Sequence, residues 1–79
     1  MPTILNKLGF RFFFYSNENN EPAHIYIEKG DAESKIWLEP EIREEYSMGF
    51  SPKEKKTILD IIKDNLELLK NKWNEFFRK

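Results

Sequence analysis

The chain has 79 residues, no cysteine and a formal charge of −1. That length allows one domain near the lower limit for a self-sufficient core. The absence of cysteine excludes disulfides and thiolate metal sites as supplements, and the near-neutral charge argues against a general nucleic-acid binder. Aromatic residues make up 15% of the chain, and their large buried area can offset the small size. The same composition suits a chain that gains stability from a second subunit or partner. Charge is unevenly placed: residues 1–50 carry five basic against nine acidic residues, and residues 51–79 carry eight against five. The N-terminal stretch is interrupted by Lys7 and Arg11 and has no small-residue cleavage site. No apolar run approaches the roughly 20 residues needed to span a bilayer. The expected location is therefore cytoplasmic, away from any membrane.

In chain order, TILNKL (3–8) reads as a first strand, and Gly9 permits a tight turn into a second, GFRFFFY (9–15). SNENNEP (16–22) is a turn-rich loop without an apolar residue. HIYIE (24–28) and KIWL (35–38) read as strands joined by a hairpin turn around Gly30–Asp31, and Pro40 ends or bends the latter. EIREEY (41–46) is ambiguous, because Ile42 and Tyr46 suit a helical turn yet an extended edge segment fits equally well. Ser51, Pro52 and Glu54 form the Ncap, N1 and N3 positions of a capping box, with Phe50 placed before it to staple against the first turn. A helix is expected from Pro52 to about Phe77, with Ile58, Leu59, Ile62, Leu66, Leu69, Trp73, Phe76 and Phe77 on one face. Ile61 and Leu68 widen that arc, and Asn65 falls inside it. Unbroken, such a helix would run nearly 40 Å at about 1.5 Å per residue. Either it breaks near Asp64–Asn65, or its far end projects and packs on another chain. No repeat or low-complexity segment is present.

Strand periodicity divides the sheet into two faces, because successive side chains point oppositely. Phe10, Phe12, Phe14, Ile25, Ile27, Ile36 and Leu38 form one, an evident core. Arg11, Phe13, Tyr15, His24, Tyr26, Glu28, Lys35 and Trp37 form the other, which mixes large rings with ionisable groups and is the candidate working surface. Three readings stay open for it. The rings and cations could stack bases, or they could form the centre of a protein interface, where Tyr, Trp and Arg concentrate. Alternatively, EIREEY or the first strand folds over the face and buries it.

His24 is the sole histidine. With a nearby carboxylate and with Arg11 stabilising developing charge, it could perform general acid–base work on a phosphodiester. The plain alternative is a surface histidine whose ring packs on tyrosine. No metal site is expected, since one His with scattered carboxylates matches no recognised ligand spacing. No GxGxxG, P-loop, HExxH or CxxC motif occurs, and no cofactor is expected. The helix's polar stripe of Lys56, Asp60, Lys63, Glu67 and Lys70 alternates in sign, as a solvated, self-paired face does.

MPTIL at the start, GFRFFFYSNE (9–18), EPAHIYIEKG (21–30), KIWLEP (35–40), GFSP (49–52) and KWNEFF (72–77) span almost the whole chain. Together they resemble the bacterial "domain of unknown function 4160" family. Members are small prokaryotic proteins, often encoded beside a protein of the "domain of unknown function 2442" family, and some are described as the toxin of a toxin–antitoxin pair. The resemblance implies a protein partner and a toxic activity, and no particular reaction. The family pattern Pro-Pro-His-x-His reads Pro22, Ala23, His24, Ile25, Tyr26 here. The second histidine is replaced, which puts a two-histidine mechanism in doubt.

These readings predict an α+β fold: an antiparallel sheet of three to four strands over about residues 3–46, then one long helix over about 52–77 packed on the Phe10, Phe12 and Phe14 side. The functional expectation is a toxin-like component that binds a partner protein, an antitoxin-like protein or a second copy. The partner is held through Phe13, Tyr15, Tyr26, Glu28, Lys35 and Trp37 or through the helix. If the protein is an enzyme, RNA is its expected target, with His24 and Arg11 catalytic. The alternative is a non-enzymatic binding module or homo-oligomer.

Overall fold

A computed structural model describes residues 3–15 and 21–77. Five strands, β1 (Thr3–Lys7), β2 (Phe10–Phe13), β3 (His24–Lys29), β4 (Ala32–Trp37) and β5 (Arg43–Met48), form one sheet in chain order. Every neighbouring pair is antiparallel. Two helices follow, α1 (Pro52–Asp64) and α2 (Leu66–Phe76). The α+β class is as expected, but the sheet has five strands rather than three to four, and the helix is two helices rather than one.

The fifth strand comes from the ambiguous segment. Arg43–Met48 runs extended along β4, so EIREEY supplies a sheet edge and not a cover. A bulge between Lys35 and Ile36 shifts the register there, placing Lys35 opposite Tyr46 and Trp37 opposite Arg43. Most of the turn-rich loop, residues 16–20, lies outside the described residues.

The tight turns follow the residues. β3 and β4 are joined by Gly30 and Asp31 alone. Between β1 and β2 both Leu8 (φ 54°) and Gly9 (φ 86°) have positive φ, the pairing that two-residue hairpins use to match strand twist. Leu8 takes this conformation at a steric cost that glycine avoids. Gly49, at φ 87°, leads into the helices, and a β-carbon there would lie 3.1 Å from the Ala32 Cα.

The capping box is formed as expected. Glu54 N–H donates to Ser51 Oγ at 3.1 Å, and Ser51 N–H donates to Glu54 Oε1 at 2.9 Å. Phe50 packs on Phe10 across the sheet, with ring centroids 5.8 Å apart. The helix breaks at Asn65, whose backbone N–H reaches both Ile61 O and Ile62 O. Its side-chain amide also donates to Ile61 O at 2.8 Å. An amide competing for backbone carbonyls disturbs the regular ladder, and this resolves the long-rod question in favour of a break.

The core lies between the helices and one sheet face. Phe10, Phe12, Phe14, Ile25, Ile27, Ile36 and Leu38 meet Ile58, Ile61, Ile62, Leu69 and Trp73 there. Every sheet residue assigned to the core by alternation is buried. The helix arc is narrower than its sequence pattern, because Leu68 and Phe76 remain exposed.

Candidate functional site

The opposite sheet face is the candidate site, and strand register orders it into three rows. Residues directly opposite on neighbouring strands share a face. One row reads Arg11, Glu28, Glu33, Met48; the next Phe13, Tyr26, Lys35, Tyr46; the third His24, Trp37, Arg43. All eight residues expected on this face belong to it, with Tyr15 packing on Phe13 and Tyr26 just beyond β2.

The rings form a second, smaller packed layer. Phe13 and Tyr26 stack with centroids 5.7 Å apart, and Tyr15 meets Tyr26 edge-on at 4.6 Å. Such contacts contribute about 0.5–1.5 kcal/mol beyond area burial. Phe13 and Tyr26 are buried, although they lie outside the core cluster that the described helices share with the sheet.

Arg11 and Lys35 lie over these rings. The Arg11 guanidinium sits 4.4 Å from the Phe13 centroid, and its Nη1–H donates to Glu28 Oε2 at 2.9 Å. Lys35 Nζ lies 4.6 Å from the Trp37 ring and 3.3 Å from Glu21 Oε1. Trp37 Nε1–H donates to Glu45 Oε1 at 2.8 Å, and the Tyr46 hydroxyl donates to Glu33 Oε2 at 2.7 Å. Placing each cation between a ring and a carboxylate satisfies its charge and covers the ring with its aliphatic stem.

This arrangement has an electrostatic consequence. The Lys35 side chain is 12% exposed and its partner Glu21 44%; Arg11 is 25% exposed and Glu28 42%. In both pairs the positive group lies inward and the carboxylate faces outward.

His24 occupies a different environment. Its side chain has no exposed surface. The ring is held among Tyr26, Trp37 and, from α2, Trp73, at centroid distances of 5.4, 5.2 and 4.7 Å. Nδ1–H donates to Pro22 O at 2.9 Å. Arg11 is not brought to it, because Arg11 stands opposite Glu28, four residues along β3, or about 13 Å at strand rise. The two groups proposed to share acid–base work are thus separated, and one is sealed from solvent. Trp73 closes the end of this layer, a role its helical spacing did not reveal.

Among the described residues, no group of three or more His, Cys, Asp or Glu is placed to hold a metal ion. No described helix is long and apolar enough to cross a membrane. Elsewhere, an open groove of about 460 Å³ lies between β1 and α2, lined by Thr3, Ile4, Phe14, Lys72, Glu75 and Phe76.

Sequence reasoning missed Glu21, Glu33, Arg43, Glu45, Tyr46 and Met48 as members of the outer layer. Glu33 was recoverable from the two-residue turn, since a 30–31 hairpin sets it opposite Glu28. The β5 members could not be placed, because residues 41–46 fitted a helical turn and an extended edge equally well, and the bulge then sets which of them stand opposite Lys35 and Trp37.

The fold and site define a small α+β protein with a five-stranded antiparallel meander, one face covered by a helix pair and the other bearing rings and ion pairs. The chain belongs to the family described as domain of unknown function (DUF4160), whose sequence profile matches residues 9–74. Neither a curated protein nor a solved structure matches it.

Proposed function

We propose that this protein acts by binding another protein through the outer face of its sheet, as the toxin-like component of a two-protein module. The observation that carries the reading is the contrast within that face. Trp37 and Tyr15 remain half-buried there beside partly exposed ion pairs, and Trp, Tyr and Arg concentrate in interfaces, while the histidine expected to do acid–base work, His24, is fully buried. A surface built this way can offer shape and charge to a partner, and His24 is assigned to packing rather than to catalysis. The outward carboxylates oppose a phosphate backbone, so RNA is the less favoured partner. The role in a toxin–antitoxin pair comes from the family resemblance, and the outer face is where it would be exercised.

The test has two parts. Expression with and without the protein encoded beside it measures growth arrest and its relief. Co-purification of that neighbour with wild type and with Trp37→Ala then locates the contact. The expected result is a stable complex that Trp37→Ala weakens about tenfold, the loss typical of an aromatic interface residue. Undiminished complex formation by the variant would move the interface elsewhere, and growth arrest abolished by His24→Phe in a folded protein would restore a chemical role for His24.

A further inference from the structure

We infer that the outer face of the sheet receives a cationic protein segment, rich in Arg or Lys. This rests on the protein-binding reading above and adds the chemistry of the partner.

The first support is the strand register. It sets Glu28 directly opposite Glu33 on neighbouring strands, and like charges so placed destabilise a sheet. Arg11 pairs with Glu28, but Glu33 receives the neutral Tyr46 hydroxyl. That row therefore carries two carboxylates and one guanidinium, and it ends in Met48, which is 62% exposed. An Arg or Lys side chain laid along the row would meet both carboxylates with its head and Met48 with its stem. Carboxylate recognition by a guanidinium is frequently bidentate and charge-assisted, and long basic side chains bury their methylenes on apolar surface.

The inward placement of the resident cations is the second support. Lys35 and Arg11 are turned onto rings, whereas Glu21 and Glu28 face outward. Glu45 is exposed on the same face, anchored by Trp37. The exposed Arg43 stands in the third row, beside Trp37 and away from Glu28 and Glu33, so along the first row an approaching chain meets negative charge first. A phosphate backbone is repelled by this layer, whereas a basic segment is steered to it. The acidic character of residues 1–50, nine acidic against five basic, extends the same field beyond the contact.

The rival occupant is a second copy, whose helical segment carries the opposite imbalance of eight basic against five acidic residues. One set of measurements decides. Fluorescence anisotropy reads binding of three labelled probes: a short peptide of alternating Arg and Ser, its Glu counterpart, and a single-stranded RNA of matched length. The proteins are wild type, Glu28→Gln/Glu33→Gln, and the control Asp60→Asn/Glu67→Gln, which removes equal charge from the exposed helix surface. The Arg peptide should bind wild type and the control alike, and bind the Glu28→Gln/Glu33→Gln variant about tenfold more weakly. The other two probes should not bind. An equal loss in the control, or tighter binding of the RNA, overturns the inference. Concentration-dependent self-association that Glu28→Gln/Glu33→Gln abolishes overturns it in favour of the second copy. Co-purification separates the two levels. If Trp37→Ala releases the neighbour-encoded protein and Glu28→Gln/Glu33→Gln does not, the interface stands without its cationic partner. If neither releases it, both readings fall.

Discussion

The two faces of this sheet are built from the same strands, yet they are held by different forces. On the helix side, Phe12, Ile27 and Ile62 are fully buried among apolar neighbours, and the stabilising term is removal of apolar area from water. On the outer side, Phe13 and Tyr26 are buried beneath Arg11, Lys35 and Tyr15, so the cover is made of charged stems and ring edges. The first arrangement tolerates no exchange of partner. The second is a thin layer whose ion pairs are partly exposed, and exposed pairs contribute only about 0–1 kcal/mol each. The two faces of one sheet are thus stabilised by different means.

The largest effect should come from breaking the first face. Phe12→Ala is expected to cost about 3–5 kcal/mol by deleting a buried ring, read as a lower urea midpoint at unchanged slope. Trp37→Ala, on the half-buried outer layer, should cost less than half as much. Equal losses at the two positions would dissolve the distinction between the faces.

His24 sharpens the comparison because it lies on the outer rows and yet touches Trp73 of α2. His24→Ala should cost about 2–4 kcal/mol, combining a cavity with the loss of the bond to Pro22 O. His24→Phe should recover most of that, since three of its neighbours are rings. Thermal denaturation of both variants checks this. A His24→Ala protein as stable as wild type would show that the ring is not structural.

Smaller effects lie in the turns that connect the faces. Gly49→Ala should cost about 1–3 kcal/mol, because its φ of 87° strains any side chain and the added carbon presses on the Ala32 backbone. Leu8→Asn should instead stabilise by about 0.5–1 kcal/mol. Leu8 is 68% exposed at φ 54°, a conformation asparagine accepts more readily. Chemical denaturation resolves both signs, and a destabilised Leu8→Asn would indicate a contact for that leucine beyond this chain.

Alternation alone divided Phe10, Phe12, Phe14, Ile25, Ile27, Ile36 and Leu38 from the outer residues, because a strand has a period of two whatever it packs against. Ser51 and Glu54 announced the helix start for a similarly local reason, since both bonds of the capping box lie within four residues. Asn65 was visible as an irregularity, but whether it broke the helix or entered an interface depended on what lay beneath it. The fifth strand was not legible, because Ile42 and Tyr46 satisfy a helical spacing and only pairing with β4 selects extension. The burial of His24 was equally hidden, since one of the rings packed on it, Trp73, lies 49 positions along the chain.

The sequence by itself determined which side chains share a face, where the helices begin and how charge is divided between the two parts of the chain, all consequences of short-range geometry and composition. Only the tertiary structure decided that the cations turn inward and the carboxylates outward, that Glu28 faces Glu33, and that His24 is closed off. Those outcomes depend on register across strands and on the docking of α2, and both are set by contacts between residues far apart in the chain.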